Sequence, residues 1–279
     1  MLTTKQRLMN RQDMIMQYVA NNSIQGKSMT DIARDVARAY HLAYSDGLRR
    51  YVSMVINNNG KHKDNNVLII GDLHAPFVKN GYFDFCKEVK DKYSCNEIVF
   101  IGDIIDNHYS SFHDTDPDGH GAAAELEKAI SEVKKWYGEF PIAKVCMGNH
   151  DLIPDRKAFS SGLSKRWIKG IGEVLEVPNW EFKEEFIIDR VRYTHGTGRK
   201  ARMRAKDDLI STVQGHYHSE GYVEHFVGQF YRIFAMQVGC GVDREAYAMA
   251  YGRHFKKMHI SCGVVLNNGE LPILEYMKL

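Results

Sequence analysis

Side chains capable of binding metals follow short apolar segments at three places along the chain. Each segment reads as a buried strand and leads through a glycine into Asp72 and His74, into Asp103, or into Asn149 and His150. Glycine lets the backbone turn sharply, and open α/β sheets place their ligand sites at the carboxyl ends of strands. These side chains could therefore share one rim of a sheet. Their oxygen and imidazole ligands are those that a divalent transition metal prefers.

Further histidines follow two apolar segments in the second half of the chain. His195 follows residues 191–194, and His216 and His218 follow residues 209–214. Side chains two residues apart in an extended segment point the same way, so His216 and His218 could touch two neighbouring metals. The five cysteines are scattered without CxxC spacing, which predicts a site built without sulfur.

The order of apolar segments predicts the elements that position these residues. Strands at 67–70, 98–101 and 142–146 alternate with helices at about 81–93, 121–137 and 155–169. After Trp180 the pattern changes to short alternating strands, at residues 182–188, 191–194, 209–214, 222–227, 231–238, 264–266 and 271–276. Strand–helix units followed by a β-rich half predict an α/β fold in which two sheets pack face to face with helices outside.

The first 65 residues have a different character from the rest of the chain. They carry ten Lys/Arg and five Asp/Glu, whereas the remainder carries 27 and 30. Helices are predicted over residues 4–20, from Ser28 or Thr30, and from Ser45-Asp46, the last one exposing Arg49 and Arg50. Two short helices around a tight turn resemble a DNA-binding helix-turn-helix, but a helical packing or oligomerisation module would look the same.

A polar segment rich in asparagine separates the two parts at residues 57–66 and reads as a linker. We therefore expect a small all-α domain at residues 1–60 and a larger domain at 66–279. The chain has no apolar run of membrane-spanning length and no apolar core of a secretion signal at its start. Together with unpaired cysteines, this predicts a cytoplasmic protein with no membrane partner.

Five motifs, taken in order, resemble those of the calcineurin-like metallophosphoesterases. They are Gly71-Asp72-Leu73-His74, Gly102-Asp103-Ile104-Ile105-Asp106, Gly148-Asn149-His150-Asp151, the lone His195 and Gly215-His216-Tyr217-His218. The resemblance covers residues 66–279. It implies a four-layer α/β/β/α sandwich with a dinuclear metal site, preceded in this chain by the small helical domain.

The resemblance also implies a role for each motif residue. One metal would be held by Asp72, His74, Asp103 and His218, and the other by Asp103, Asn149, His195 and His216. Manganese is the expected metal, with iron, zinc, nickel and magnesium as alternatives. His150 would protonate the leaving oxygen, and Asp106 would hydrogen-bond His150 and fix its tautomer.

The expected substrate is a phosphate ester, most specifically a phosphodiester of nucleic acid or a nucleotide. Candidate substrate-binding residues are His108, Arg156, Arg199 and Lys200, although a solvated helix face would also explain the basic run that begins at Arg199. Serine/threonine phosphatases continue the second motif with Arg-Gly, whereas this chain has Asn107 after Asp106. They end the third motif with Glu, whereas this chain has Asp151. Both differences disfavour a protein phosphatase. A phosphomonoesterase or protein phosphatase, and a DNA-binding module with a non-essential phosphoesterase fold, are the alternatives. Residues 109–118 resemble phosphoesterases of phage and prophage genomes. We therefore expect the protein in the cytoplasm of a bacterial or phage-infected cell.

Overall fold

The computed structural model describes residues 26–42, 44–57, 64–112, 116, 118–246 and 257–278, together with Ile15, Tyr18, Asn22 and Ile24. The chain divides into two compact units, Met1–Asp64 and Asn65–Leu279. Most of the helix predicted at residues 4–20 lies outside the described residues. No helix within the described ranges is both long and apolar enough to cross a membrane.

Among the residues that the structure describes, the first unit contains two continuous capped helices, α1 (Met29–Ala39) and α2 (Asp46–Asn57). Ser28 begins α1 as predicted, because its Oγ accepts a hydrogen bond from the Asp31 amide at 3.2 Å. Ser45 does the same for α2, accepting from the Leu48 amide at 3.1 Å. The two helices share a small apolar core whose members include Ile32, Val36, Leu48 and Val52.

The second unit alternates strands and helices in its first half and is mainly β in its second half. In chain order the elements are β1 (Val67–Ile70), α3 (Tyr82–Lys92), β2 (Glu97–Phe100), α4 (Ala122–Glu139), β3 (Ala143–Cys146), α5 (Ile153–Ser160), α6 (Ile171–Val174), β4 (Trp180–Lys183), β5 (Glu185–Ile188), β6 (Val191–Thr194), α7 (Ala201–Asp208), β7 (Ser211–Gln214), β8 (Tyr222–Val227), β9 (Arg232–Gln237), β10 (Ser261–Leu266) and β11 (Leu271–Tyr276).

Within the described residues these strands form two sheets. The first has six strands in the order β11-β10-β1-β2-β3-β4, and the second has five in the order β5-β6-β7-β9-β8. Strands β1 to β4 run parallel to one another, as do β6, β7 and β9. The carboxyl ends of each parallel group therefore lie along one edge of its sheet, where the predicted metal ligands begin.

The side chains of β1 alternate between two hydrophobic cores. Leu68 and Ile70 join a core that also contains residues of α3 and α4, whereas Val67 and Ile69 join a core shared with the second sheet. On the far side of the second sheet, α7 packs Ala201 and Ala205 against β9. The layers are helices, sheet, sheet and helix, which confirms the predicted α/β/β/α sandwich.

Two predicted elements differ from the observed ones. The strand predicted at residues 182–188 is two strands, β4 and β5, which belong to different sheets and are separated by Glu184. The helix predicted at 155–169 ends at Ser160 because Gly162 has a φ of +70°, and Ser164 then caps a separate 3-10 turn at Lys165–Trp167. Both breaks depend on backbone direction, which apolar spacing does not report.

Candidate metal centre

Strand pairing brings the predicted ligands together. Ile70 of β1 is level with Phe100 of β2, and Phe100 is level with Val145 of β3. The loops after these strands carry the residues expected as ligands from the first sheet, which are Asp72, His74, Asp103 and Asn149. In the second sheet, Thr194 of β6 is level with Gln214 of β7, so the loops that carry His195, His216 and His218 also start side by side.

The first cluster contains Asp72, His74, Asp103 and His218, with one ligand atom of each lying within 4.8 Å of the others. His218 Nε2 is 3.1 Å from Asp72 Oδ2 and 3.2 Å from His74 Nε2. His74 Nε2 in turn lies 3.4 Å from Asp103 Oδ2. Three of these residues are at most 1% exposed, so the cluster is a buried set of donors that could hold a metal ion.

The second cluster contains Asp103, His195 and His216. His195 Nε2 is 3.2 Å from Asp103 Oδ2 and 3.2 Å from His216 Nδ1. Asn149 completes the group, because its Oδ1 lies 3.0 Å from the same His195 nitrogen. Asp103 therefore belongs to both clusters, and these four residues are the set expected at the second metal.

Hydrogen bonds at the outer ring nitrogens fix two of the histidine tautomers. His74 Nδ1 donates to Asp106 Oδ1 at 2.5 Å, and His195 Nδ1 donates to the Ile101 carbonyl at 3.2 Å. Carboxylate and carbonyl oxygens only accept, so Nδ1 carries the proton in each ring. In the neutral imidazole, Nε2 is then unprotonated, as a metal ligand must be.

The electrostatics of the clusters favour added positive charge. Burial alone would lower the pKa of His195, but the charges of Asp103 and Asp72 outweigh it and raise the pKa to about 9. Burial likewise opposes protonation of His74, yet Asp103 and Asp106 hold its pKa well above the ordinary value. Asp72 Oδ1 is buried and has no hydrogen-bond partner among the described residues. A divalent cation fits this donor set, because it would supply the positive charge that the carboxylates attract and a partner for the orphaned oxygen.

The backbone approaches two of the candidate ligands too closely for a side chain. A Cβ at Gly148 would lie 2.1 Å from Asp103 Oδ1, and a Cβ at Gly215 would lie 2.4 Å from Asp72 Oδ1. His74, Asp103 and His216 themselves have positive φ values of 49°, 46° and 73°. Such conformations cost free energy and occur at sites that the surrounding structure holds in place.

The ordered motifs lie within residues 66–239, which match the family model described as calcineurin-like phosphoesterase. The chain belongs to this family. Membership, together with clusters that could hold metal ions, supports a metal-dependent hydrolase of phosphate esters.

Several solved structures are similar to this phosphoesterase. Vacuolar protein sorting 29 from Cryptosporidium parvum shares 13% identity at a TM-score of 0.41, over 76% of this chain and 89% of that one. Yfce, a phosphoesterase from E. coli, shares 12% identity at a TM-score of 0.37, over 76% of this chain and 100% of that one. The Pseudomonas putida nuclease MPE shares 10% identity at a TM-score of 0.34, over 75% of this chain and 87% of that one. No curated protein sequence gives a significant match.

Asp106 contacts His150 in this phosphoesterase through a different atom from the one expected. His150 Nδ1 donates to the backbone carbonyl of Asp106 at 2.6 Å, while its distance to the carboxylate Oδ1 is 3.6 Å. The carboxylate instead accepts from His74. The Asp106 carboxylate therefore orients a candidate metal ligand, and its carbonyl orients His150. Burial and the neighbouring charge of His74 lower the pKa of His150.

Asp151 is a site residue that the sequence did not single out beyond its place in the motif. Its Oδ1 accepts from the amides of Ile104 and Ile105 at 2.9 and 3.3 Å, and its Oδ2 accepts from the Gly148 amide at 2.8 Å. It therefore ties the loop after β2 to the loop after β3. Burial, followed by the charge of Asp103, raises the pKa of Asp151 to about 7.

The candidate substrate-binding residues of this phosphoesterase have different surroundings. His108 is buried, and its Nε2 accepts from the Asp116 amide at 3.1 Å, so it supports the loop that contains it. Arg199 pairs with Asp207 at 2.6 Å, and Lys200 pairs with Glu220. These cations belong to ion pairs at the start of α7, as expected for a solvated helix face. Arg156 is exposed, and its guanidinium lies 4.6 Å from the centroid of the Phe112 ring.

Proposed function

We propose that this protein hydrolyses phosphodiester bonds of nucleic acids or nucleotides with two divalent metal ions, manganese being the first to test. The observation that carries the proposal is the position of Asp103, which lies within ligand distance of both clusters. Two nearby cations repel each other, and a shared carboxylate offsets that repulsion. A site for a single cation would not need a second set of metal ligands around the same Asp103 oxygen, Oδ2.

The donor sets suggest which residues would hold each ion. Asp72, His74, Asp103 and His218 would hold the first, and Asp103, Asn149, His195 and His216 the second. When bound, the pair would polarise the phosphoryl group and lower the pKa of a nearby water. Asn149 is neutral, so it adds a ligand without adding negative charge to a site that must attract an anionic phosphate.

His150 is proposed to supply the proton that the leaving oxygen needs. Its Nδ1–H is engaged with the Asp106 carbonyl, so the proton that His150 gives is the Nε2–H of the imidazolium, and the ring is left neutral. The ring is only partly buried, with 16% of its side chain exposed, which leaves it accessible beside the clusters. Its bond to a backbone carbonyl holds the ring orientation, and Asp106 supports both His150 and His74 in this scheme.

The diester preference is supported by what surrounds the clusters. Asn107 donates from Nδ2 to the His150 carbonyl at 3.0 Å, at the position where protein phosphatases carry a different residue. Arg156 and the Phe112 ring bring a cation and an exposed aromatic face to the loops that carry Asp106 and His150. A cation and a stacking surface suit a nucleotide better than a phosphoserine side chain.

Hydrolysis of bis(p-nitrophenyl) phosphate in added Mn²⁺ tests the proposal, with p-nitrophenyl phosphate and a phosphopeptide as competing substrates. Asp103→Asn should lower bound metal and turnover together, because one carboxylate serves both ions. Asp84→Asn, at an exposed position of α3, is the matched control and should change neither. Full metal content with full activity in Asp103→Asn would refute the dinuclear centre, and preference for the monoester would refute the substrate class.

A second activity, duplex DNA binding by the first unit, is proposed from the charge of α2. Arg49 is paired with Asp46 at 3.5 Å, whereas Arg50 is exposed and makes no ion pair within the part of the chain that the structure describes. An unpaired arginine on a capped helix could neutralise a DNA phosphate. The competing view is a helical dimerisation unit.

A further inference from the structure

Four exposed apolar side chains, three of them aromatic, lie on the segment that follows His150 and on the loop that begins at Asp106. Phe159 and Trp167 are 86% and 81% exposed, and Leu163 and Phe112 are 49% and 54% exposed. We call these four residues the aromatic platform. Phe159 lies on α5, which begins three residues after His150, and Phe112 lies six residues after Asp106. Three members of the platform therefore lie on the segment that follows the proposed proton donor, and Phe112 lies on the loop that begins at Asp106.

The platform carries an excess of positive charge. The cationic groups of Arg156 and Lys157 lie 4.6 and 5.5 Å from the centroid of the Phe112 ring. Arg166, next to Trp167, is exposed and forms no ion pair with any residue that the structure describes. The one acidic residue between positions 152 and 170 is Asp155, which is already paired with Lys165 at 2.6 Å. Three cations thus remain for an anionic ligand.

An open cavity lies beside Phe159 of the platform. Its volume is about 370 Å³, and its lining includes Asp155, Arg156, Phe159, Leu163 and Lys165. Pockets that bind small organic groups commonly span ~300–1,000 Å³. The lining is mainly apolar and carries Arg156 beside the Lys165–Asp155 ion pair, so its chemistry suits a flat heterocycle attached to a phosphate.

We propose that the aromatic platform binds single-stranded nucleic acid and delivers it to the metal centre. Aromatic rings stack on bases regardless of sequence, and neighbouring arginines and lysines follow the phosphate backbone. Paired bases in a duplex hide their faces, so the platform selects unpaired strands. This proposal rests on the proposed function in one respect, because it takes the bound strand to be the substrate whose phosphodiester bond is hydrolysed.

Tryptophan fluorescence measures this binding directly. The chain has three tryptophans, and Trp136 and Trp180 are 0% and 5% exposed, so a stacking base can reach Trp167 alone among them. The probe is an unlabelled oligothymidylate of about 12 nucleotides, within the ~4–16 that one binding site spans. EDTA is present so that nothing is cleaved. Saturable quenching is expected with the single strand and little with a duplex of equal length; no quenching, or equal quenching by both, would overturn the proposal.

Anisotropy of a labelled oligothymidylate then tests individual rings. Phe159→Ala and Trp167→Ala should each weaken binding by about 5- to 150-fold, the range for losing one base–aromatic stack. Phe230→Ala is the matched control, since Phe230 is 90% exposed but lies in the turn between β8 and β9, and it should bind as the wild type does. Wild-type affinity in both platform variants, or an equal loss in the control, would overturn the proposal. Two further results would also overturn it. In one, the variants abolish binding to phosphatidylglycerol vesicles but leave oligonucleotide affinity unchanged, and in the other they abolish self-association with the same unchanged affinity.

The platform and the proposed function can fail separately. Wild-type hydrolysis of bis(p-nitrophenyl) phosphate with Mn²⁺ reports the function alone, because that substrate carries no base. Binding that depends on Phe159 and Trp167 in a protein that hydrolyses nothing would refute the function and support the platform. Hydrolysis by a protein whose variants bind oligonucleotide normally would refute the platform and leave the function standing.

Discussion

Asp106 shows how one residue can serve two histidines. Its carboxylate accepts from His74 and its carbonyl accepts from His150, so a candidate metal ligand and the proposed proton donor share one support. The motif predicted that Asp106 and His150 would be neighbours. It did not predict which atom makes the contact, because that depends on the left-handed conformation of Asn107, with a φ of 53°, and on the direction of the loop that follows.

His150→Ala is expected to separate chemistry from metal binding. In the proposed scheme the ring is not a ligand of either metal, so both metals should remain bound. Turnover should fall by about 10²–10⁴-fold, the usual effect of losing a general acid. Rates are to be compared on diesters with good and poor leaving groups, since a good leaving group needs no proton. An equal loss on both would remove His150 from the acid role.

Gly148→Ala is expected to damage the centre without touching a ligand. The added methyl would lie 2.1 Å from Asp103 Oδ1 and must displace that carboxylate. Bound metal, measured by atomic emission after dialysis, should fall together with activity. Gly138→Ala in α4 is the matched control, because a Cβ there meets nothing within 4 Å and alanine should add about 0.4–1 kcal/mol to the free energy of unfolding. Normal metal content in Gly148→Ala would contradict this account of the loop.

At the scale of elements, sequence patterns located most strands and the two long helices of the second unit to within three residues. The bounds of β1, β6 and β8 agree with the predicted segments, because alternation or a continuous apolar run specifies them. The chain between β4 and β5 changes sheets without a turn signal, so the two strands read as one. The partners of Arg199 and Lys200 come from later residues, Asp207 and Glu220, and no local pattern announces those ion pairs.

Helix α2 provides the prediction for the first unit. Arg50→Glu should weaken binding of duplex DNA, because it replaces an exposed cation with an anion. The plot of log affinity against log salt should become shallower by about 0.9 for each DNA phosphate that the variant no longer neutralises. Arg38→Glu on α1 is a suitable control, as Arg38 already pairs with Asp35 at 3.5 Å. If Arg50→Glu changes the mass in solution and leaves DNA affinity unaltered, the unit is a dimerisation module.

At the scale of the whole molecule, the sequence predicted the candidate metal ligands better than it predicted the surface where a substrate would bind. Metal ligands sit where strands end, and strand ends can be read from apolar runs, so the residues brought together in the two clusters were foreseeable. The aromatic platform was not foreseen, because Phe159, Leu163 and Trp167 occur at spacings that also suit a buried helix face. Because α5 ends at Ser160, Leu163 and Trp167 lie outside the helix that the spacing predicted.

The two clusters draw their donors from both sheets of the sandwich. Asp72, Asp103 and Asn149 follow strands of the first sheet, and His195, His216 and His218 follow strands of the second. A cation held between them would cross-link the two sheets, so the proposed catalytic ion would also stabilise the fold. At a metal concentration ~100-fold above the dissociation constant, binding adds about 2.7 kcal/mol to stability, or about 5–10 °C in Tm for a unit of this size. Calorimetry with Mn²⁺ and with EDTA should show this shift in the wild type and lose it in Asp103→Asn; equal melting temperatures in the wild type would mean that the sheets hold together without the ion.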